Sequence, residues 1–216
     1  MSKVSGDWVR DLKFFYFKEY KIENIPVIIA RSGWSGEAGY EIYLQDHTKG
    51  NDLWSILMTA GKEFNIAPAA PSQINRIESG MLSYGSDMSL NENPYDISFG
   101  KFVNLEKKAN FLSKEALTLV KEKGITKELV GVEITEKTTD ETEKTSDDFV
   151  RDHLPIFYNN SVIGKITSSV YSPRLKKNIG LAILETKHKK STNLKLKYNN
   201  RSVGIKVSDL PFLRNK

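Results

Sequence analysis

The chain has 216 residues, no cysteine, and 32 Lys and Arg against 27 Asp and Glu, a formal net charge of +5. Without a thiol, disulfides, thiolate metal centres and a cysteine nucleophile are excluded. Its apolar runs, such as Val27–Ala30, are only a few residues long, far from the roughly 20 that a membrane span needs, and the first eight residues lack the apolar stretch of a signal peptide, so the expected location is cytoplasmic. His47, His153 and His188 are scattered without metal-ligand spacing, and no metal site is expected. The densest basic cluster, Lys187-His188-Lys189-Lys190, lacks the interleaved aromatics that stack on bases, which argues against a nucleic-acid partner.

The spacing predicts a strand over residues 12–20, where Phe14, Phe15, Phe17 and Tyr20 are interleaved with polar groups, and a second over Ile25–Ala30, which is β-branched. A glycine-punctuated loop follows, with Gly33, Gly36 and Gly39 at spacing three, and runs into a third strand at Tyr40–Leu44. From Asp52, the residues Leu53, Ile56, Leu57, Ala60 and Phe64 recur at helical spacing. Asn51 or Asp52 is the expected cap of that helix, and Pro68 and Pro71 prevent its continuation. A short helix is expected over Ser72–Ser79, with Gly80 just past its end. Its Ile74 and Ile77 should face inward, and Arg76 and Glu78, two apart, should not share a face.

Lys114–Lys123 reads as a further helix, begun by Ser113 and stopped by Gly124. From Glu128 the pattern changes to short strands and tight turns, with hairpins at Asn159-Asn160 and Asn199-Asn200. Between Glu133 and Asp148 seven acids stand against two lysines with almost no apolar residue, the composition of a mobile loop. The expected architecture is α+β, an antiparallel sheet with helices followed by a C-terminal β-barrel domain, with the boundary near residues 109–127.

The stretch from Arg31 to Tyr43 carries the clearest candidate chemistry. Glycines let a backbone approach a ligand closely, Trp34 offers a flat aromatic face, and Glu41 and Tyr43 fall on one side of the following strand. A stacking surface beside a fixed carboxylate suits a planar heterocycle with N–H donors. An ordinary turn with a packed Trp and a water-facing Glu fits the same residues, and the pattern alone leaves both readings open.

Three stretches together resemble the folate-dependent aminomethyltransferase superfamily, whose founding member is the glycine cleavage T protein. Arg31-Ser32-Gly33-Trp34-Ser35-Gly36-Glu37-Ala38-Gly39-Tyr40-Glu41-Ile42 is similar to that family's glycine-loop signature, and Arg76-Ile77-Glu78-Ser79-Gly80-Met81 to its Arg-Leu-Glu-Ala-Gly helix. Gly164–Ser169, Ser172-Pro173 and Ile179–Ala182 are similar to its C-terminal barrel signature. The likeness runs over about residues 8–210. Within the superfamily, Trp34, Leu82–Met88, Asn93–Tyr95 and Gly100–Phe102 look closest to the dimethylsulfoniopropionate demethylase branch.

The resemblance implies tetrahydrofolate as cofactor, with Trp34 packing on it, Glu41 gripping the pterin, Tyr43 lining the same pocket and Arg76 lying near the pterin. From the residues alone, Arg76 reads equally as a helix-surface arginine paired with a neighbouring acid. Tyr84 and Tyr171 are weaker pocket candidates. The implied domains are 1–110, the C-terminal part of the folate-binding domain, and 111–216, a connecting helix and the barrel.

The implied reaction is demethylation of dimethylsulfoniopropionate to methylmercaptopropionate, with 5-methyltetrahydrofolate as co-product. The alternatives are the aminomethyltransferase of the glycine cleavage system, which would need a lipoyl carrier protein, and a non-catalytic folate-binding fragment. The family's iron–sulfur branch carries a cysteine motif absent here. The catalytic aspartate of the family is expected on an N-terminal half that this chain does not supply, making such a half, provided in trans, a candidate partner beside the small-molecule methyl donor. No nucleic acid or membrane partner is expected.

Overall fold

The computed structural model describes residues 1–135, 153–198 and 201–213. Two compact units divide the chain, Met1–Ser72 and Gln73–Lys216.

The first unit is built on a three-stranded antiparallel sheet of β1 (Phe17–Ile22), β2 (Ile25–Ala30) and β3 (Glu41–Leu44), in the order β1-β2-β3. A helical turn, α1 (Ser2–Ser5), and a 3₁₀ segment over Asp7–Asp11 precede it. The main helix is α2 (Gly50–Gly61). Burial in β2 alternates strictly: Ile25, Val27 and Ile29 are buried with Val9, Ile22 and Leu53, while Pro26, Ile28 and Ala30 on the other face are half-exposed. One buried and one open face is the ordinary consequence of period-two alternation in an antiparallel sheet covered on one side.

Two expectations for this unit need correction. Residues 12–16 do not join β1, because Phe15 has φ of 65°, a turn conformation that interrupts an extended strand. Helix α2 begins before Asn51 and Asp52, and neither caps it. The acceptor at this helical start is Asp46, whose Oδ1 takes the Thr48 N–H at 3.0 Å and caps a 3₁₀ turn over His47–Lys49 that leads into α2. The helix tightens into a 3₁₀ turn over Lys62–Phe64 and ends at Asn65 in the left-handed conformation.

The second unit contains α3 (Gln73–Glu78), α4 (Lys114–Lys123) and a closed antiparallel barrel. The barrel strands are β4 (Lys127–Ile134), β5 (Pro155–Tyr158), β6 (Ser161–Ser172), β7 (Lys177–Glu185), β8 (Leu194–Tyr198) and β9 (Arg201–Ser208). They follow the order β4-β7-β6-β5-β8-β9, with β9 closing on β4. The architecture is therefore α+β with a C-terminal barrel, as the sequence pattern leads one to expect. Asn159 and Asn160 both have positive φ in the β5–β6 turn, the conformation a tight two-residue hairpin requires. The second Asn pair lies outside the described residues. Of the acidic stretch, Glu133 and Ile134 end β4, which corrects the expected start of the loop; residues 136–148 lie outside the described residues.

Barrel strand β7 is buried on both faces. Ala182 and Leu184 point into the barrel core with Val130, Val132, Ile156 and Ile166, while Ile179, Leu181 and Ile183 pack outward against Ile77, Leu82 and Ile97. Its run Ile179-Gly180-Leu181-Ala182-Ile183-Leu184 is accordingly apolar without alternation. This outer layer explains why the packing break follows Ser72: α3 and the loop beyond it bury their apolar residues on the barrel wall.

Two charged residues of α3, each also in an ion pair, tie the helix to serine hydroxyls of β6. Arg76, 1% exposed, donates from Nη1 to Asp87 Oδ2 at 2.7 Å and to the Met81 carbonyl at 3.1 Å, and from Nη2 to Ser168 Oγ at 2.8 Å. Asp87 also accepts from Thr167, at 2.7 Å, and from Ser168. Glu78, fully buried, meets Ser172 and Arg174. Arg76 and Glu78, expected to part, thus both reach β6, two turns of strand pleat apart.

Removing one partner of a buried charge pair leaves the other uncompensated, at a cost of about 3–5 kcal/mol. Arg76→Ala is therefore expected to destabilise the barrel unit by that amount in urea unfolding, and a loss below about 1 kcal/mol would contradict the assignment. A second expectation concerns Glu92, whose pKa is lowered first by the Ser89 hydroxyl, then by the Ser89 N–H and by Lys165. A depressed carboxylate contributes stability that is present above the unfolded pKa, about 4.3, and is lost as pH falls through the folded value. The stability advantage of the unaltered chain over Glu92→Gln should thus be full at pH 7 and shrink below about pH 4.3; an advantage that grows with acid would refute it.

Candidate functional site

The candidate site lies in the first unit, on the loop of residues 31–40 and the strand it enters. Both ends of this loop are tied to the segment that precedes the sheet. At its start, Arg31 Nη1 donates to the carbonyls of Arg10 and Leu12 at 3.3 and 3.2 Å, and its guanidinium lies 5.8 Å from the Tyr40 ring centroid. At its end, Tyr40 Oη donates to the Val9 carbonyl at 2.9 Å. Val9 itself is core, 1% exposed, so the loop is anchored to the best-packed part of the unit. Between the anchors, Gly36 takes φ of 71°, a backbone conformation glycine adopts without a steric penalty.

The sheet register then decides which side chains leave the core. Ile42 pairs opposite Ile29 and Leu44 opposite Val27, so both turn to the face covered by α2, whereas Glu41 lies opposite Ala30 and Tyr43 opposite Ile28 on the open face. Directly paired residues in an antiparallel sheet project from the same side, so Phe17 and Glu19 of β1 extend this open face through their pairing with Ala30 and Ile28. Tyr43 is 52% exposed and Trp34 42%.

Glu41 does not hang free on that face. Ser32 Oγ donates to its Oε2, and Tyr43 Oη donates to the same oxygen at 3.2 Å. A carboxylate oxygen has two in-plane lone-pair positions, and these two hydroxyls occupy those of Oε2. Oε1 is left as the oxygen with acceptor capacity to offer. A carboxylate oriented in this way, beside two exposed aromatic rings, fits a planar heterocycle that carries N–H donors along one edge: the carboxylate binds the edge and the rings cover apolar surface.

Of the four residues implicated from the sequence, the structure brings Glu41 and Tyr43 into contact and places Trp34 on the loop that leads to them. Arg76 belongs to the other unit. It is neither the surface arginine that its residue pattern allows nor an exposed side chain, since its guanidinium is buried in the contacts to Asp87, Met81 and Ser168 described above. Tyr84, also in that unit, is 66% exposed. A depression of about 430 Å³ in the first unit, lined by Lys3, Val4, Ile22, Ser55 and Ile56 among others, includes none of Trp34, Glu41 and Tyr43. Its lining mixes Lys3, Glu23, Ser55 and Thr59 with aliphatic side chains and holds no aromatic ring to stack on a planar ligand.

Sequence reasoning missed Ser32, Arg31 and Tyr40 as parts of the site. The signal for Ser32 was present in outline, because a hydroxyl immediately before a glycine loop that returns to a glutamate is placed to meet it across the strand pair. The anchoring roles of Arg31 and Tyr40 depend on where residues 9–12 run, which no local pattern encodes.

Comparison with known proteins gives a consistent set of matches. The GCVT N-terminal domain model matches residues 1–107, and the glycine cleavage T-protein C-terminal barrel domain model matches residues 127–213. A dimethylsulfoniopropionate demethylase of Ruegeria pomeroyi is 31% identical over 192 residues, covering 87% of this chain and 49% of that protein. An aminomethyltransferase of Bacillus mycoides is 32% identical over 218 aligned residues, covering 99% of this chain and 57% of that protein. The crystal structure of the glycine cleavage system aminomethyltransferase T from Bartonella henselae superposes with a TM-score of 0.74 at 22% identity, over 94% of this chain and 54% of that one, a likeness of fold. The chain spans about half the length of the curated relatives it matches.

Proposed function

The chain belongs to the folate-dependent aminomethyltransferase family of the glycine cleavage T protein, and on that premise we propose that it carries the folate-gripping part of a tetrahydrofolate-dependent methyl transfer. In its sharpest form, the reaction is demethylation of dimethylsulfoniopropionate to methylmercaptopropionate, with 5-methyltetrahydrofolate as co-product. The observation that carries the reading is the Glu41 carboxylate, oriented by Ser32 and Tyr43 on the open face of the sheet. Residues 1–110 then form the C-terminal part of the folate-binding domain and 111–216 the connecting helix and barrel.

Tetrahydrofolate, when bound, supplies N5 as the methyl acceptor. Glu41 holds the N–H edge of the pterin, Trp34 covers its ring and excludes water, and Tyr43 lines the same pocket. The departing sulfur of a sulfonium donor becomes a neutral thioether, so no residue needs to protonate it, and the work of the protein is to keep donor and acceptor in line. Positioning of this kind can supply about 7–11 kcal/mol of a barrier. No residue of this chain is assigned as the base that takes the proton from the acceptor nitrogen; in the resemblance that role falls to an aspartate of the family's N-terminal half. Arg76 enters this reading through the family resemblance alone, as the arginine near the pterin; its partners in its own unit include Asp87, Met81 and Ser168.

A second reading, the aminomethyltransferase of a glycine cleavage system with its lipoyl carrier protein, is favoured by one observation: the Bacillus mycoides relative matches this chain at the same level of identity as the demethylase and over more of its length. Trp34, in the loop, favours the demethylase. A non-catalytic folate-binding role requires the same Glu41 site and differs only in turnover. Among the described residues no helix is long and apolar enough to cross a membrane.

Glu41→Ala removes a charge-assisted acceptor, worth about 1.5–3 kcal/mol, so calorimetry should record tetrahydrofolate binding weakened about tenfold or more. Unchanged affinity would remove the basis of the proposal. In an activity assay, 5-methyltetrahydrofolate should form from dimethylsulfoniopropionate when the chain is mixed with a polypeptide covering the rest of the Ruegeria pomeroyi relative. Formation of 5,10-methylenetetrahydrofolate from an aminomethyl-lipoyl donor instead would select the second reading.

A further inference from the structure

Glu41 is a long side chain on an exposed strand face, with three torsions free to move unless something restrains them. Two hydroxyls do so. Ser32 Oγ and Tyr43 Oη converge on Oε2, from opposite sides of the residue in sequence: Ser32 follows β2, and Tyr43 lies two residues further along β3. A hydroxyl that gives its only proton to the carboxylate keeps its lone pairs. Tyr43 Oη is therefore an acceptor toward anything bound on the open face, and Glu41 presents Oε1 beside it.

Resting on the folate reading above, we propose that Ser32 is a positioning residue for ligand recognition, and that the N–H edge of the ligand is read by the pair Glu41 Oε1 and Tyr43 Oη rather than by the two carboxylate oxygens. The Ser32 hydroxyl touches no ligand in this arrangement. It fixes the rotamer of Glu41 by holding Oε2, and so determines where Oε1 points. The loop geometry supports the role: the Arg31 N–H donates to the Tyr16 carbonyl at 3.0 Å and the Arg31 carbonyl accepts the Phe15 N–H at 2.9 Å, which fixes the backbone immediately before Ser32. Tyr43 is held in turn by its place opposite Ile28. The set Ser32, Glu41 and Tyr43 thus presents two neighbouring acceptors, a pattern that selects an aminopyrimidine-type edge with two adjacent N–H groups and disfavours an edge with an acceptor at either position.

The test is a coupling measurement on the chain with tetrahydrofolate, comparing the unaltered protein with Ser32→Ala, Ser32→Thr, Tyr43→Phe, Glu41→Ala and the Ser32→Ala/Glu41→Ala pair. Ser32→Ala should weaken binding about tenfold, Ser32→Thr should restore it to within about twofold because the hydroxyl is retained, and Tyr43→Phe, which removes both a donor to Oε2 and the second acceptor, should cost at least as much as Ser32→Ala. Ser32→Ala should cost nothing further once Glu41 is gone. Full affinity in Ser32→Ala, or an equal further loss in the Glu41→Ala background, overturns the positioning role, and a smaller loss in Tyr43→Phe overturns the acceptor pair. A second readout needs no ligand: the Glu41 Cδ resonance in ¹³C NMR should move in Ser32→Ala and return in Ser32→Thr, and an unmoved resonance overturns the proposal. If Glu41→Ala leaves tetrahydrofolate binding untouched, or the chain shows no binding, the folate reading fails, and the resonance alone then judges the positioning of Glu41.

Discussion

The register between β2 and β3 is the constraint on which the candidate site depends. Ile25, Val27 and Ile29 must be buried against Leu53 and its neighbours on α2, and a slip of one residue would send that whole set to water. Once the buried face is fixed, Ile42 and Leu44 follow it inward, and Glu41 and Tyr43 have nowhere to go but the open side. The same burial that folds the unit therefore delivers a carboxylate and a phenol to one surface, two residues apart, close enough for one to bond the other. The polar contacts from Ser32 and Tyr43 refine an arrangement that apolar packing has already imposed.

The second unit uses charge differently. Burying Arg76, Asp87 and Glu78 carries a large desolvation cost, recovered only when the charges are paired and further hydrogen-bonded. The pairing is thorough: carbonyl, carboxylate and hydroxyl partners surround Arg76, and Asp87 takes donors from Thr167 and Ser168 as well. A network of this kind specifies position. It fixes which part of the barrel wall α3 and the 81–88 loop sit on, where Ile77 and Leu82 alone could slide over an apolar surface formed by Ile179 and Leu181.

Much of this was legible in the sequence because the signals were local. The alternation in Ile25–Ala30, the helical spacing from Leu53, the span Lys114–Lys123 closed by Gly124, and the Asn159-Asn160 turn each follow from a few adjacent residues. What escaped depended on distant chain. The broken start of β1 at Phe15 is set by Arg31, whose carbonyl accepts the Phe15 N–H. The environment of Arg76 is created by Ser168, 92 residues away. In the candidate site, the aromatic faces and the carboxylate could be read from spacing, whereas the hydroxyl that orients the carboxylate comes from across a strand pair.

The central claim is that the open face of the first unit, at Glu41, is where a pterin is held. The measurement that addresses it most directly is a crystal structure of the chain with tetrahydrofolate bound. The account predicts the aminopyrimidine edge within hydrogen-bonding distance of Glu41 Oε1 and Tyr43 Oη, with the ring against Trp34. A pterin seated elsewhere on the chain, with the Glu41 carboxylate bonded only to Ser32, Tyr43 and water, would contradict it.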